Sequence, residues 1–231
     1  MTKKTFPLQE KLKAFGIHLI ISLFIFILLV LWLYLILYPS FYFNMSGGWQ
    51  GLMLILGVDV VLGPLLTFLV FNPHKKIREI VSDLLVVGAV QLAALGYGTY
   101  TVYQEHPRLV VLYEQGFATA LSYREVMEEP ALQTLDLNPL KPLAGVPLTI
   151  NRAMEGKVQL VSLQNVATDL TQVDTTSRKA MQPEDLAQLH ALEQQHGKAW
   201  VLAVMGKYTG AYIVVDKDFN YLDKIGERPI S

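Results

Sequence analysis

No cysteine occurs among the 231 residues, which excludes disulfides, a thiol nucleophile and cysteine metal sites but leaves the compartment undecided. Charge is scarce too, at 17% of residues against 52% hydrophobic, and it is unevenly spread. Residues 1–103 hold seven Lys or Arg against four Asp or Glu, and residues 104–231 hold twelve against sixteen. An apolar half with basic edges is therefore followed by an acidic half of ordinary soluble composition, long enough for one small core. The basic residues of that second half are scattered, so no basic nucleic-acid face is expected. Also missing are a G-x-S-x-G elbow, a Walker loop and a glycine-rich dinucleotide fingerprint.

What is present is three long apolar runs. Ile17 to Tyr38 is uncharged apart from His18, too long for a signal-peptide core and without a small-residue cleavage site after it, so it is expected to be an uncleaved span. Before it, Phe6, Leu8, Leu12 and Phe15 share a face with Lys11 and Lys13 beside it, the pattern of a short interfacial turn. Trp32, Tyr34, Tyr38, Phe41, Tyr42 and Phe43 gather at its far end like an interfacial aromatic belt. Leu52 to Phe71 is the second expected span. Leu84 to Tyr103 is the third, rich in the small residues Gly88, Ala89, Ala93, Ala94, Gly96 and Gly98, which let helices approach closely.

The loop from Pro39 to Trp49 has no charge, whereas the next one carries Lys75, Lys76 and Arg78. The positive-inside bias then puts the N-terminus in the cytoplasm and everything after the third span outside it. The expected layout is a basic cytoplasmic tail (1–16), a three-helix transmembrane domain (17–104) and an extracytoplasmic domain (105–231). Lys75, Lys76 and Arg78 act as topology determinants that meet lipid head groups.

Asp59 is the one formal charge in the second span. A carboxylate at that depth costs about 3 kcal/mol on insertion scales, so it turns toward a partner helix or a polar cavity. Gly57, Gly63 and Pro64 flank it and favour close packing or a kink. Two readings stand: Asp59 is kept neutral by burial or hydrogen-bonded to Gln91 across two of the protein's own helices, or it is a handle for a polar or charged group on a partner helix in the same membrane. In the second reading Gly57, Gly63, Pro64, Gln91 and Gly96 belong to the same partner-binding surface.

After His106-Pro107, Arg108 to Glu114 and Phe117 to Ser122 read as strands joined through Gln115-Gly116, and Tyr123 to Glu129 as a short helix stopped by Pro130. Residues 130–147, with four prolines, read as an irregular loop. Val158 to Leu170 fits helix or strand equally. Pro183 to Gln195 reads as a helix with a Leu186, Leu189, Leu192 stripe, closed by Gly197; Ala199 to Met205, Ala211 to Val215 and Asn220 to Lys224 read as strands. The expectation is a small α+β domain on a mainly antiparallel sheet. His190, Glu193 and His196 lack the spacing of a zinc hydrolase, and Asp216 and Asp218 lack the rest of a calcium loop, so no metal or cofactor is expected.

GIHLIIS (Gly16 to Ser22), GGWQGLMLILGVDVVLGPLLTFLVFNPHKK (Gly47 to Lys76) and QLAALGYGTYTVYQEHP (Gln91 to Pro107) resemble the type IV pilin accessory proteins of Gram-negative bacteria. The resemblance covers roughly residues 16–110. It implies a non-enzymatic inner-membrane protein, outside the fibre itself, that binds its cognate major pilin by helix and globular head, touches other pilus assembly machinery, and supports piliation and twitching motility. A membrane sensor acting through a partner chain is the alternative layout, although cytoplasmic segments this short leave no room for an output module.

Overall fold

The computed structural model describes residues 8–113, 116–133, 135–138, 142–154, 157–162 and 167–230. Phe6 of the expected tail, Glu114 and Gln115 of the first hairpin, Pro139 in the proline-rich stretch, and Leu163 and Val166 lie outside them. The chain forms two compact units. One takes in the chain up to Leu33 and Trp49–Tyr103; the other takes in Tyr34–Gly48 and the chain from Gln104 on.

The first unit is built on three helices long and apolar enough to cross a membrane: α1 (Leu8–Leu37), α3 (Gly48–Val70) and α4 (Ile77–Glu105). Each is apolar over most of its circumference, and large side chains such as Ile20, Leu69 and Leu85 stay exposed, as suits helices whose solvent is hydrocarbon. Polar and small residues mark the contacts. His18 Nδ1 lies 2.6 Å from Thr67 Oγ1, and Phe15 meets Phe68 edge to face, joining α1 to α3. α4 comes close to α3 where glycine leaves room: a Cβ on Gly51 would strike Val102, and one on Gly98 would touch Ile55.

The second unit is an eight-stranded mixed sheet in the order β3-β4-β1-β2-β6-β7-β8, with β5 also on β4. Its strands are β1 (Pro107–Tyr113), β2 (Phe117–Ser122), β3 (Pro142–Leu143), β4 (Val146–Met154), β5 (Lys157–Ser162), β6 (Trp200–Met205), β7 (Thr209–Val215) and β8 (Tyr221–Pro229). Among the described residues, five of the seven strand pairings are antiparallel, as expected, but β1 pairs β4 and β2 pairs β6 in parallel, so the sheet is mixed. The cause is connectivity: the chain returns to each side of the central β1–β2 hairpin only after crossing over through helices, and such crossovers bring strands back parallel.

Those helices cover both faces. α5 (Tyr123–Glu128) starts with a capping box in which Ser122 and Glu125 exchange side-chain and backbone bonds. With α6 (Pro130–Gln133) it lays Val126 and Leu132 on Leu109 and Val111. Pro130 therefore starts a helical turn where an irregular loop was expected, and Pro142 and Val146 lie in strands. α8 (Pro183–His196) buries Leu189 against Val201, Val214 and Ile225 on the same side of the sheet. The alternation along β6 and β7 sends Leu202, Val204, Ile213 and Val215 to the opposite face, which receives Val173 of α7 (Ala167–Ala180) and Phe41, Tyr42 and Met45 from around α2 (Tyr42–Met45).

Phe41 and Tyr42, read as part of an aromatic belt, thus fill the interior of the second unit, whereas Tyr34 of the same group is exposed. Tyr38 and Tyr42 are fully buried, and Tyr42 donates from its hydroxyl to the Leu143 carbonyl at 2.9 Å, burial holding its phenol above the ordinary pKa. Met45 accepts from the Tyr208 amide at 3.0 Å. A charge-free, aromatic loop is what a core requires as much as an interface, which is why hydropathy alone could not separate the two.

Arg178 ties α7 to α8 and β6. Its Nε donates to both Asp174 oxygens at 2.9 Å, and its Nη2 donates to Glu193 at 2.7 Å and to the Ala199 carbonyl at 2.8 Å. Arg178→Leu leaves the buried Asp174 and partly buried Glu193 carboxylates without their cation and is expected to cost about 3 kcal/mol, read as a lower thermal midpoint of the detergent-solubilised chain. An unchanged midpoint contradicts this. The Arg178 hydrogen bond holds the Glu193 carboxyl below its ordinary pKa, so its contribution is complete above the unfolded value, near about 4.3, and is lost as pH falls through the lower folded value. Glu193→Gln should flatten the acid limb of stability below about pH 4.

Candidate functional site

Asp59 sits eleven residues from either end of α3, at its middle, inside a π-helical turn from Leu56 to Leu62. Such turns are rare and concentrate at functional sites. The turn follows from the sequence beside it. The Gly63 amide donates five residues back, to Val58, and the next donor in that register would serve the Asp59 carbonyl. The next residue is Pro64, which has no N–H. The orphaned Asp59 carbonyl is met instead by Gln91 of α4, whose Nε2 lies 3.4 Å away. Gly63 makes that reach possible, because a Cβ there would collide with the Gln91 side chain.

Asp59, Gly63, Pro64 and Gln91 therefore meet at one point. Gln91 serves the backbone of Asp59, whereas the carboxyl Oδ2 is buried with no hydrogen-bond partner among the described residues, and the whole residue is only 7% exposed. Gly57 and Gly96 do not join this contact: a Cβ on either would find no heavy atom within 4 Å. Lys75 pairs with Asp83 at 2.5 Å, while Lys76 and Arg78 are exposed.

The carboxyl borders a cleft of about 460 Å³ within the three-helix unit. α1 lines it with Ala14, Ile17, His18, Ile21, Ser22 and Ile25, α4 with Leu84, Gly88, Gln91, Leu92 and Leu95, and α3 with Asp59 and Thr67. The polar groups form a track. His18 is bonded to Thr67 and Gln91 to the Asp59 carbonyl, and no described residue donates to Asp59 Oδ2. His18 and Thr67 went unnoticed as site residues in the sequence. Their signal was only that each is a lone polar side chain in an apolar run.

In the second unit, Glu193 is held by Arg178, and His190 and His196 are exposed on α8. No group of three metal-ligating side chains is assembled among the described residues. Asp216 accepts from the amides of Asp218 and Asn220, closing the β7–β8 turn.

If Pro64 is the reason Gln91 is needed, the two positions are coupled. Gln91→Leu should destabilise the solubilised protein by about 1 kcal/mol, and by much less in a Pro64→Ala background, where a restored amide can serve the Asp59 carbonyl. Strictly additive shifts in thermal midpoint would contradict the coupling.

No protein-family model matches the chain, and no solved structure matches it. Curated relatives do. The fimbrial assembly protein of serogroups C1 and C2 of Dichelobacter nodosus is 37% identical over 111 residues, 48% of this chain and 83% of the relative. Those of serogroups I and E1 are 33% and 32% identical over 135 residues, 58% of this chain and 51% of each relative. The chain thus spans about half the length of these two relatives. With 83% of the serogroup C1 and C2 protein covered at that identity, the chain belongs to the fimbrial assembly protein family.

Proposed function

We propose that this chain is a non-enzymatic accessory of type IV fimbrial assembly that crosses the bacterial inner membrane three times, binds its cognate major pilin before assembly, and so supports piliation and twitching motility. The similarity to fimbrial assembly proteins carries the reading. Three membrane-length helices support the location, and the exposed Lys76 and Arg78 between α3 and α4, against the charge-free loop after α1, favour an orientation with the N-terminus in the cytoplasm and the second unit in the periplasm. A subunit waiting in the same membrane by an apolar helix, its head outside, is a client that such a protein meets at two levels. The helices receive the helix, and the periplasmic sheet domain meets the head.

Assembly help of this kind leaves the client chemically unchanged. Deleting the gene should reduce sheared surface pili several-fold and restrict twitching, while the intact mass of the pilin stays that of the parent strain. A shifted pilin mass would instead identify a modifying enzyme, and normal pili would remove the protein from assembly altogether.

A further inference from the structure

The cleft beside Asp59 is walled on two sides by residues at helical spacing. Its α1 wall advances by three or four residues, through Ala14, Ile17 and His18, Ile21 and Ser22, to Ile25. Its α4 wall advances the same way, through Leu84, Gly88, Gln91 and Leu92, to Leu95. Both walls span twelve residues, about 16 Å along the helix axes, and this is the stripe spacing with which one helix packs against another. Gly88 lowers one wall, and Ile17, Ile21 and Leu92 remain exposed along the rim.

The floor states what the occupant must bring. Asp59 lines this space and its buried Oδ2 has no hydrogen-bond partner among the described residues, while His18 is engaged with Thr67 and Gln91 with the Asp59 carbonyl. In hydrocarbon a carboxyl in that condition lacks one hydrogen-bond donor. A lipid tail carries none. A lipid head group stays at the interface, about 16 Å from a residue at mid-helix.

We propose that the cleft is the seat of a transmembrane helix from another protein, lying along α1 and α4 for about three turns and presenting a hydrogen-bond donor, an amine, hydroxyl or amide, level with Asp59. The identification of that helix with the pilin's rests on the function proposed above; the seat and its donor requirement do not. Asp59 is then a specificity residue, since an apolar helix in this groove would leave its carboxyl unpaired.

The lack of native cysteine makes the test clean. Single cysteines at Gly88 and Leu92 in the cleft, and at the exposed Val86 on the opposite side of α4, are labelled with a maleimide photocrosslinker in membranes of piliated cells. Adducts with a span-bearing protein should form at Gly88→Cys and Leu92→Cys but not at Val86→Cys, and Asp59→Leu should cut their yield about five-fold while Asp59→Asn, which keeps an acceptor, cuts it less. Two cleft positions guard against one substitution failing to fold. A pilin adduct upholds both the seat and the client. An adduct with a different membrane protein upholds the seat and removes pilin from it. Adducts only with lipid or with a second copy of this chain, equal yields at all three positions, or indifference to Asp59→Leu overturn the seat and leave the pilin reading to the deletion strain.

Discussion

A carboxyl group halfway along a membrane-length helix must find a donor, neutralise itself or be costly, and the arrangement of the three-helix unit follows from how that demand is divided. Pro64 removes the amide that would serve the Asp59 carbonyl, and the π turn spreads the helix at that level. Gln91 crosses from α4 to supply the backbone, through a gap that only glycine at 63 leaves open. The side-chain carboxyl is left over. A π turn and an unpaired polar atom placed side by side are the usual mark of a site shaped for something outside the fold.

The second unit is governed by ordinary burial. Alternating apolar residues on the central strands create two faces, and each needs a cover. One cover comes from α5, α6 and α8; the other takes in α7 and the aromatic segment that follows α1. Tyr42 and Met45 combine large buried area with hydrogen bonds to Leu143 and Tyr208, so this segment is specified as well as buried. The mixed sheet has its charged cluster around Arg178 where helices and strand must register, a structural use for Glu193 that the metal-like spacing of its helix did not suggest.

Much of this was legible in the residues. Three apolar runs near twenty residues each announced the three long helices, and Pro183 with the leucine stripe announced α8. The β1–β2 hairpin and the late strands also stood where alternation put them. Less legible was whatever depends on distant pairing. The parallel partners of β1 and β2 come from segments far along the chain, which local periodicity does not encode. The helix Ala167–Ala180 has a polar composition that hides its single buried stripe. At the site, Asp59, Gly63, Pro64 and Gln91 were suspected together from residue type, and the structure joins them. Gly57 and Gly96 looked the same in sequence and meet nothing, because a small residue signals close packing only when a neighbour lies opposite. His18 and Thr67 were invisible for the converse reason: their importance is the 2.6 Å between them.

The account stands or falls on whether a helix completes the three-helix unit. Electron cryomicroscopy of the protein captured with its membrane partner answers this directly. It predicts helical density from a second polypeptide between α1 and α4, with a polar side chain against the Asp59 carboxyl. A bound partner that leaves that cleft to lipid, with Asp59 facing no donor, would contradict it.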